Sequence, residues 1–494
     1  MAEASPISRP AGVRLVLCVL IGLVLWMMPA PAGWVTGAGT FSPASASVPA
    51  EALDLTTGWQ VLAVFIAAIA AFLLRPLPMG AVTLLALTLL AVTETLTIKQ
   101  TMAGYADETV WLVVAAFLIA GSVTRTGFGR RIALGLVVWL GRSLLGLGYA
   151  LCAAEMILGT LIPSNTARGG GVLAPIARSL AEALKSFPDC HPERGGAFLM
   201  LVGAHANLIA AAMYLTGMAA NPLVRRAAND VYGIDFGWGT WALGAIVPAI
   251  VSFLILPPLL RRLTRTAKFD TNAARESAKR DLVALGGWQR DEIIMAVLGA
   301  GLLILWTTSF WHGMGPTLVA WIGVCVLLLT GTETWEGVLK NRGAWDALIW
   351  VGGILTLANQ LREHGIIGWF AHSIQSAVMP FPAVVVLLLL ALAYFYSMYA
   401  FSMLTAHIAA MVAAFLVITK TAEIPALVAV AVMAYLSNLC ACLTPYSSGP
   451  VIIYFGNGYV SSPRWFGYGF VISIFHLTIW LGIGALWWKA LGWW

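Results

Sequence analysis

The chain has 494 residues, of which 60% are hydrophobic and 10% are charged. An ordinary soluble domain carries about 25% charged residues, so this composition excludes a soluble globule, and its apolar content excludes a disordered chain. The net charge is +6, and the Lys and Arg residues cluster between apolar runs. This is the positive-inside pattern of a membrane protein rather than a nucleic-acid-binding surface. A span needs about 20 apolar residues, so we predict an all-α polytopic membrane protein.

The first apolar run, Val13–Met28, follows Arg9 and Arg14. Its end at Ala30-Pro31-Ala32 resembles a signal-peptidase site. We nevertheless predict a retained first span, because a membrane-embedded chain needs no separate export signal. Residues 32–56 contain no Lys or Arg, so we expect this loop to face outward and the N-terminus to be cytoplasmic.

Two series of apolar runs follow, separated by a polar stretch at residues 261–292. The runs lie near residues 57–74, 79–97, 109–124, 145–163, 170–184, 197–219 and 240–260, and then near 293–309, 315–331, 345–359, 366–379, 382–400, 404–419, 424–443, 447–459 and 466–490. The polar stretch holds eight Lys/Arg and five Asp/Glu, and this basic excess predicts a cytoplasmic linker between two halves.

Four polar, Gly- or Pro-containing breaks interrupt these runs: Ile162–Gly171, Leu215–Pro222, Phe401–His407 and Leu443–Pro450. Two precede the linker and two follow it, which suggests an internal repeat. A broken helix at membrane depth must line a cavity or be buried in protein, and half-helix N-termini there suit an anionic substrate. The breaks therefore predict a site for a small carboxylate. Simple kinks, with Ser and Thr bonding to their own helix, are the alternative.

Several ionisable or polar residues accompany the breaks. Arg168 is either a counter-charge for a substrate carboxylate or a residue that snorkels or caps a neighbouring helix. His407 is a functional candidate because it is ionisable within an apolar run, with a hydrogen-bonded packing histidine as the alternative. We expect Glu155 to be a buried, paired carboxylate rather than a proton carrier. His205 and Asn207 are weaker candidates.

The sequence has few features that would indicate an enzyme. The sequence contains no HExxH, GxSxG or GxxxxGK[ST] motif and no spaced Cys/His metal set. We interpret Cys440-Ala441-Cys442 as packing residues rather than metal ligands. We predict neither catalysis nor a cofactor, and the alternative from another class is an intramembrane enzyme.

Five strings, in this order, resemble the divalent anion:sodium symporter family: Leu74–Val82, Thr109–Ala120, Ile162–Arg168, Trp345–Trp350 and Phe455–Val460. The 2-oxoglutarate/malate translocator and citrate-type carrier branch is the most similar, and the resemblance covers nearly the whole chain beyond residue 57. It implies about 11 transmembrane helices and two re-entrant hairpins in two inverted repeats. It also implies a homodimer, an elevator motion and a di- or tricarboxylate substrate.

The predicted organisation has four parts: a first helix with its outward loop, a first repeat, the basic linker and a second repeat, at residues 1–56, 57–260, 261–292 and 293–494. In the family resemblance, Ser164, Asn165 and Thr166 match the first hairpin tip. The second tip falls at Met403–Thr405, where Leu404 replaces an Asn that helps to bind substrate and sodium in the symporters.

The exchanger branch commonly reads Phe-Ala-Ser-x-Thr-Ala-His at the second tip, and this chain keeps the His as His407. Thr444-Pro445 matches a discontinuous helix, whereas Ser437-Asn438 lies in the helix leading to it. We therefore favour sodium-independent antiport, with His407 supplying positive charge, over sodium-coupled symport.

The predicted substrate-binding residues are Ser164, Asn165, Thr166, Arg168, Asn221, Thr405, His407, Thr444 and Pro445. Any weak sodium site would lie near Ser164, Asn165 and Gly217. The predicted substrates are dicarboxylates such as 2-oxoglutarate, malate, succinate or tartrate, with citrate as a further candidate. The predicted setting is a bacterial inner membrane.

Overall fold

The computed structural model describes residues 9–30, 55–266, 270–378 and 380–494. The predicted outward loop at residues 32–56 lies almost entirely outside these ranges, as do two of the three residues of the Ala30-Pro31-Ala32 string. Apart from one bridge between Phe187 and Cys190, the described residues form helices, turns and loops. The all-helical fold predicted from composition is confirmed.

The first half contains ten α-helices of seven residues or more among the described ranges. They are α1 (Arg9–Met27), α2 (Leu55–Leu74), α3 (Met79–Val92), α4 (Glu108–Thr126), α5 (Phe128–Leu140), α6 (Leu144–Gly159), α7 (Ala174–Ala183), α8 (Gly196–Met213), α9 (Asn221–Tyr232) and α10 (Trp238–Leu263). Local signals set several ends. For example, Asp107 accepts the Thr109 N–H at 2.8 Å to begin α4, and Gly127 ends it in a left-handed conformation.

The linker and the second half continue the series. The helices are α11 (Asn272–Ala284), α12 (Arg290–Thr307), α13 (Pro316–Leu329), α14 (Arg342–Glu363), α15 (Ile366–Val378), α16 (Ala383–Tyr396), α17 (Leu404–Thr421), α18 (Ala426–Leu439), α19 (Gly449–Gly456), α20 (Ser462–Thr478) and α21 (Gly484–Ala490). Eight of the described helical segments are long and apolar enough to cross a membrane, and four shorter apolar helices accompany them.

The same order of elements occurs in both halves. From α2 in the first half and from α12 in the second, three helices are followed by a shorter helix, a pair of helices joined by a tip, a broken helix and a long last helix. Hairpin one is α6, its tip and α7, and hairpin two is α16, its tip and α17. This order agrees with the expected repeat, although the division at residues 57–260 and 293–494 stays a prediction.

The helices pack into two groups, and each group draws on both halves. In the outer group, α1–α4 pack with α12–α14, and α4 contacts both α13 and α14. In the inner group, α6–α10 pack with α16–α21 around the almost fully buried α8. The shorter helices α5 and α15 connect the groups, since each contacts the last outer helix before it and the hairpin beyond.

Ion pairs also join the groups at α9. The pairs are Arg226–Asp107 at 3.1 Å, Arg225–Glu108 at 3.4 Å and Arg362–Asp230 at 2.7 Å. They form an ionic belt between the broken helix of the inner group and the ends of α4 and α14. The belt fixes where the inner group sits in this structure.

The predicted basic linker is partly a packed element. Within it, α11 lies against α5 and α7, and Arg131 of α5 holds the segment that follows. The Arg131 guanidinium pairs with Glu292 at 2.8 Å, donates to the Gly286 carbonyl at 2.9 Å and lies 5.3 Å from the Trp288 ring. The linker is thereby fastened to the first half.

Candidate functional site

The tip of hairpin one is built from the Ser-Asn-Thr sequence. After α6, the chain runs irregularly to Asn165 and then forms a π-helix over Thr166–Leu173, a form that is frequent at functional sites. The Ser164 hydroxyl accepts the Ala167 N–H at 3.2 Å and so caps this helix locally. Asn165 is buried and Thr166 is exposed.

The broken helix of the first half is α8–α9. Its break, from Tyr214 to Ala220, leaves carbonyls at the end of α8 without helical partners. The Asn221 amide donates to two such carbonyls, those of Ala211 at 2.8 Å and Tyr214 at 2.9 Å. The Asn221 side-chain oxygen accepts from Asn438 at 2.9 Å. Asn221, a predicted substrate ligand, therefore bridges the two broken helices in this structure.

The tip of hairpin two is less polar. The Leu404 N–H donates to the Ser447 carbonyl at 2.7 Å, and Thr405 beside it is half-buried. His407 is fully buried, with Nε2 2.8 Å from the Ser397 hydroxyl and 3.1 Å from the Tyr394 carbonyl. These contacts are those of a hydrogen-bonded histidine within the hairpin. Nδ1 has no hydrogen-bond partner in the described part of the chain.

The broken helix of the second half is α18–α19. Thr444 and Pro445 lie in its break and are both buried. Among the described residues, the hydroxyls of Thr444 and Ser448 have no hydrogen-bond partner, and neither does the hydroxyl of Tyr454 on α19. Buried hydroxyls are normally satisfied, so this break has donors that a bound polar ligand can use.

Contacts within each half and between the two halves bring all four breaks together. They join Arg168 to Gly217, Thr166 to Gly449, Leu404 to Ser447 and Asn221 to Asn438. The approach at Gly449 is so close that a Cβ there would collide with the Thr166 hydroxyl, and a Cβ at Gly170 would collide with Ile453. The predicted site residues from both halves therefore gather around one buried region of the inner group.

Arg168 lies at the centre of a buried polar network. Its Nε pairs with Glu155 at 2.6 Å, and Nη1 donates to the carbonyls of Ile162 at 2.7 Å and Gly217 at 3.0 Å. The Asn207 amide donates to Glu155 at 3.0 Å and to the Asn165 carbonyl at 3.1 Å. Glu155 is thus a paired carboxylate, and the guanidinium connects the hairpin tip to the broken helix.

Two further residues, His205 and Ser448, belong to the description of this region. His205 stacks on Trp465, with ring centroids 6.2 Å apart, rather than joining the network around Arg168. Ser448 is the residue that the sequence argument passed over within the fourth break. Its position immediately before Gly449-Pro450, at the start of a helix, was the signal that could have identified it.

Paired hairpins and broken helices that meet within an all-helical membrane fold are the architecture of a membrane transporter. A family model described as "Sodium:sulfate symporter transmembrane region" matches residues 11–494. The chain belongs to this family, the divalent anion:sodium symporters, which confirms the resemblance seen in the sequence.

Three curated relatives match over 84% or more of their own lengths. "Putative malate transporter YflS" of Bacillus subtilis is 40% identical over 100% of both chains. "Dicarboxylate transporter 1, chloroplastic" of Spinacia oleracea is 36% identical, over 100% of this chain and 84% of the relative. "Inner membrane protein YbhI" of Escherichia coli is 31% identical, over 97% and 98%.

Among solved structures, the Alcanivorax borkumensis YdaH transporter superposes with a TM-score of 0.54 over 99% of each chain. The two sequences are 14% identical, so this likeness concerns the fold alone.

Proposed function

We propose that the protein is a secondary transporter that exchanges dicarboxylates of the 2-oxoglutarate, malate, succinate and tartrate class, with citrate as a further candidate. The observation that carries this proposal is the meeting of the four breaks, with unpartnered hydroxyls at Thr444 and Ser448. The printed names of the bacterial and plant relatives, which refer to malate and dicarboxylates, support it.

The geometry suits a dianion that must bind and then leave. In the described structure, the N-termini of α9, α17 and α19 have no side-chain cap, so their positive dipole ends face no capping side chain and suit a carboxylate. Some of their first N–H groups, such as those of Asn221 and Leu404, already donate to backbone carbonyls. Ser164, Asn165 and Thr166 would engage one carboxylate, and Thr405, Thr444 and Pro445 would line the place of the other. The buried guanidinium of Arg168 is already neutralised by Glu155 and would act through the hairpin backbone.

The proposed exchange does not require sodium. The Gly217 carbonyl, a candidate sodium ligand, accepts from the fixed cation of Arg168 at 3.0 Å. In the second half, the side chain of Leu404 has no oxygen with which to bind sodium, and His407 would supply positive charge there. The alternative, sodium-coupled symport, is favoured by the family description.

The same proposal includes an elevator motion of the inner group against the outer group, a homodimer, and a bacterial inner membrane with the N-terminus in the cytoplasm. The grouping of hairpins and broken helices into one packed unit supports the motion. The printed name of the Escherichia coli relative supports the location.

Counterflow in proteoliposomes tests the function. Purified protein is reconstituted into vesicles that are loaded with malate or left empty, and labelled 2-oxoglutarate is added outside in sodium or choline buffer. We expect uptake only into loaded vesicles, at the same rate in both buffers.

The variant Asn165→Ala tests the site assignment in the same experiment, because it keeps the backbone carbonyl that Asn207 uses but removes the side-chain amide. We expect this variant to assemble and not to transport. Uptake into empty vesicles driven by a sodium gradient would establish symport instead, and full activity of the variant would remove the site assignment.

A further inference from the structure

A second basic group lies outside the Arg168 network, in the turn between α2 and α3. Arg75 has a φ of +49°, a left-handed conformation that is uncommon for residues other than glycine and often marks a functional site. Its Nη2 donates to the Ser402 carbonyl, and the Ser402 hydroxyl donates to the Leu73 carbonyl at 2.8 Å. The turn of the outer group therefore holds the residue next to the tip of hairpin two.

A cavity of about 300 Å³ lies beside this contact. Its walls are Phe72, the turn residues 75–79 and Met403, which is the first residue of the second hairpin tip. Cavities that bind small molecules typically have volumes of about 300–1,000 Å³, so the space is sufficient for a small ligand. Arg75 provides the only charge among its lining residues.

The charge of Arg75 is not neutralised by any acidic residue in the described part of the chain. Arg75 is exposed and forms no ion pair there, whereas Arg168 is paired with Glu155. The carboxylate of Asp346 packs over Gly80 on α3 instead of pairing with Arg75. An unpaired guanidinium beside a small cavity presents the planar donor pair that matches a carboxylate.

We propose that Arg75 and this cavity form an entry site, where one carboxylate of an incoming dicarboxylate binds before the substrate reaches the hairpin tips. The site rests on the proposed function for the identity of its ligand. Ser402 holds the guanidinium in position when the ligand is absent. The substrate carboxylate takes over these donors and leaves them again as it passes Met403 towards Thr405.

A residue that acts at entry changes capture more than turnover. Positive potential at the mouth of a site raises the association rate of an anion, and salt weakens this effect. We expect Arg75→Gln to lower kcat/KM for exchange about tenfold at low ionic strength, with kcat nearly unchanged. Arg75→Lys keeps the charge and should retain most of the capture rate.

The matched control is Arg14→Gln. Arg14 is another exposed arginine at the same end of the α1–α2 pair, and it donates to the Leu74 carbonyl at 3.3 Å without lining the cavity. We expect this variant to exchange as the wild type does. Loss of kcat with unchanged KM in Arg75→Gln would instead indicate that Arg75 only holds the hairpin, and would overturn the entry site.

Charge-selective labelling tests the site without transport. The exposed cysteines Cys190 and Cys325 are replaced by serine, and Met403→Cys introduces a thiol into the cavity wall. The rates of its modification by anionic and cationic methanethiosulfonate reagents are then compared, with and without malate. We expect the anionic reagent to be favoured, malate to protect the thiol, and Arg75→Gln to reduce the preference about tenfold.

An unchanged preference in Arg75→Gln would overturn the proposal even if the wild type exchanges dicarboxylates. Conversely, a wild type that fails in the counterflow experiment would remove the proposed function. In that case the labelling ratio would still decide whether Arg75 marks an anion site.

Discussion

The two hairpin tips occupy equivalent places in the two halves but are held by different chemistry. The first tip is held by a buried ion pair, Glu155–Arg168, whose guanidinium also donates to backbone carbonyls. The second tip is held by a backbone hydrogen bond from Leu404, by the contacts of His407, and by the hydrogen bonds of neighbouring Ser402 to the outer group. The two halves can therefore share one order of backbone elements although most of the buried polar network lies in the first half.

The largest expected effect comes from breaking the network of the first tip. Glu155→Ala leaves the Arg168 guanidinium buried without a counter-charge, a change that typically costs about 3–5 kcal/mol. We expect most of the protein to be lost from the folded fraction, measured by size-exclusion chromatography and by thermal unfolding in detergent. The double variant Glu155→Gln, Arg168→Met should recover part of the yield, and a wild-type melting temperature for Glu155→Ala would contradict the role of the pair.

A smaller effect is expected at the second tip. His407→Gln can still donate to the Tyr394 carbonyl but cannot supply positive charge, and a hydrogen bond to a charged group contributes about 1.5–3 kcal/mol. We therefore expect about a tenfold rise in the malate concentration needed for half-maximal exchange. The control is Ser397→Ala, which removes only the neighbouring hydroxyl. Equal affinity in His407→Gln and the wild type would identify His407 as a packing residue.

The smallest effect is expected from making the second tip resemble the symporters. Leu404→Asn restores the amide that they carry there, but Arg168 still occupies the Gly217 carbonyl. We expect the ratio of exchange rates in sodium and choline to stay near one, and a general loss of activity cancels in this ratio. Stimulation by sodium of more than about twofold would show that the second tip alone decides ion coupling.

Much of this arrangement could be predicted from the sequence because the signals are local. Gly, Pro and Ser residues interrupt long apolar runs, so the four breaks and the discontinuous helices could be located without a structure. The pairing of Arg168 with Glu155 was within reach as well, since only 13 residues separate them and both lie beside the first break.

Other features depend on how distant segments meet. The ionic belt joins Asp107 and Glu108 to arginines on α9, and Arg131 reaches Glu292 across 161 residues. No spacing pattern connects such positions, so they became visible only in the folded chain. The same is true of Arg75, which lies within the family string Leu74–Val82 and whose contact with Ser402 of hairpin two joins residues far apart in the sequence.

The close approach at the glycines also limits how this protein can be recombined with its relatives. Gly169 and Gly170 on hairpin one pack against Pro450 and Ile453 of α19, and Gly449 packs against Thr166. These surfaces come from opposite halves of the chain and leave no room for a side chain at the glycines. A hybrid that joins one half of this protein to the other half of a relative places one of these surfaces against a foreign partner. It will keep an intact site only if the facing residues of the other half are transferred with it.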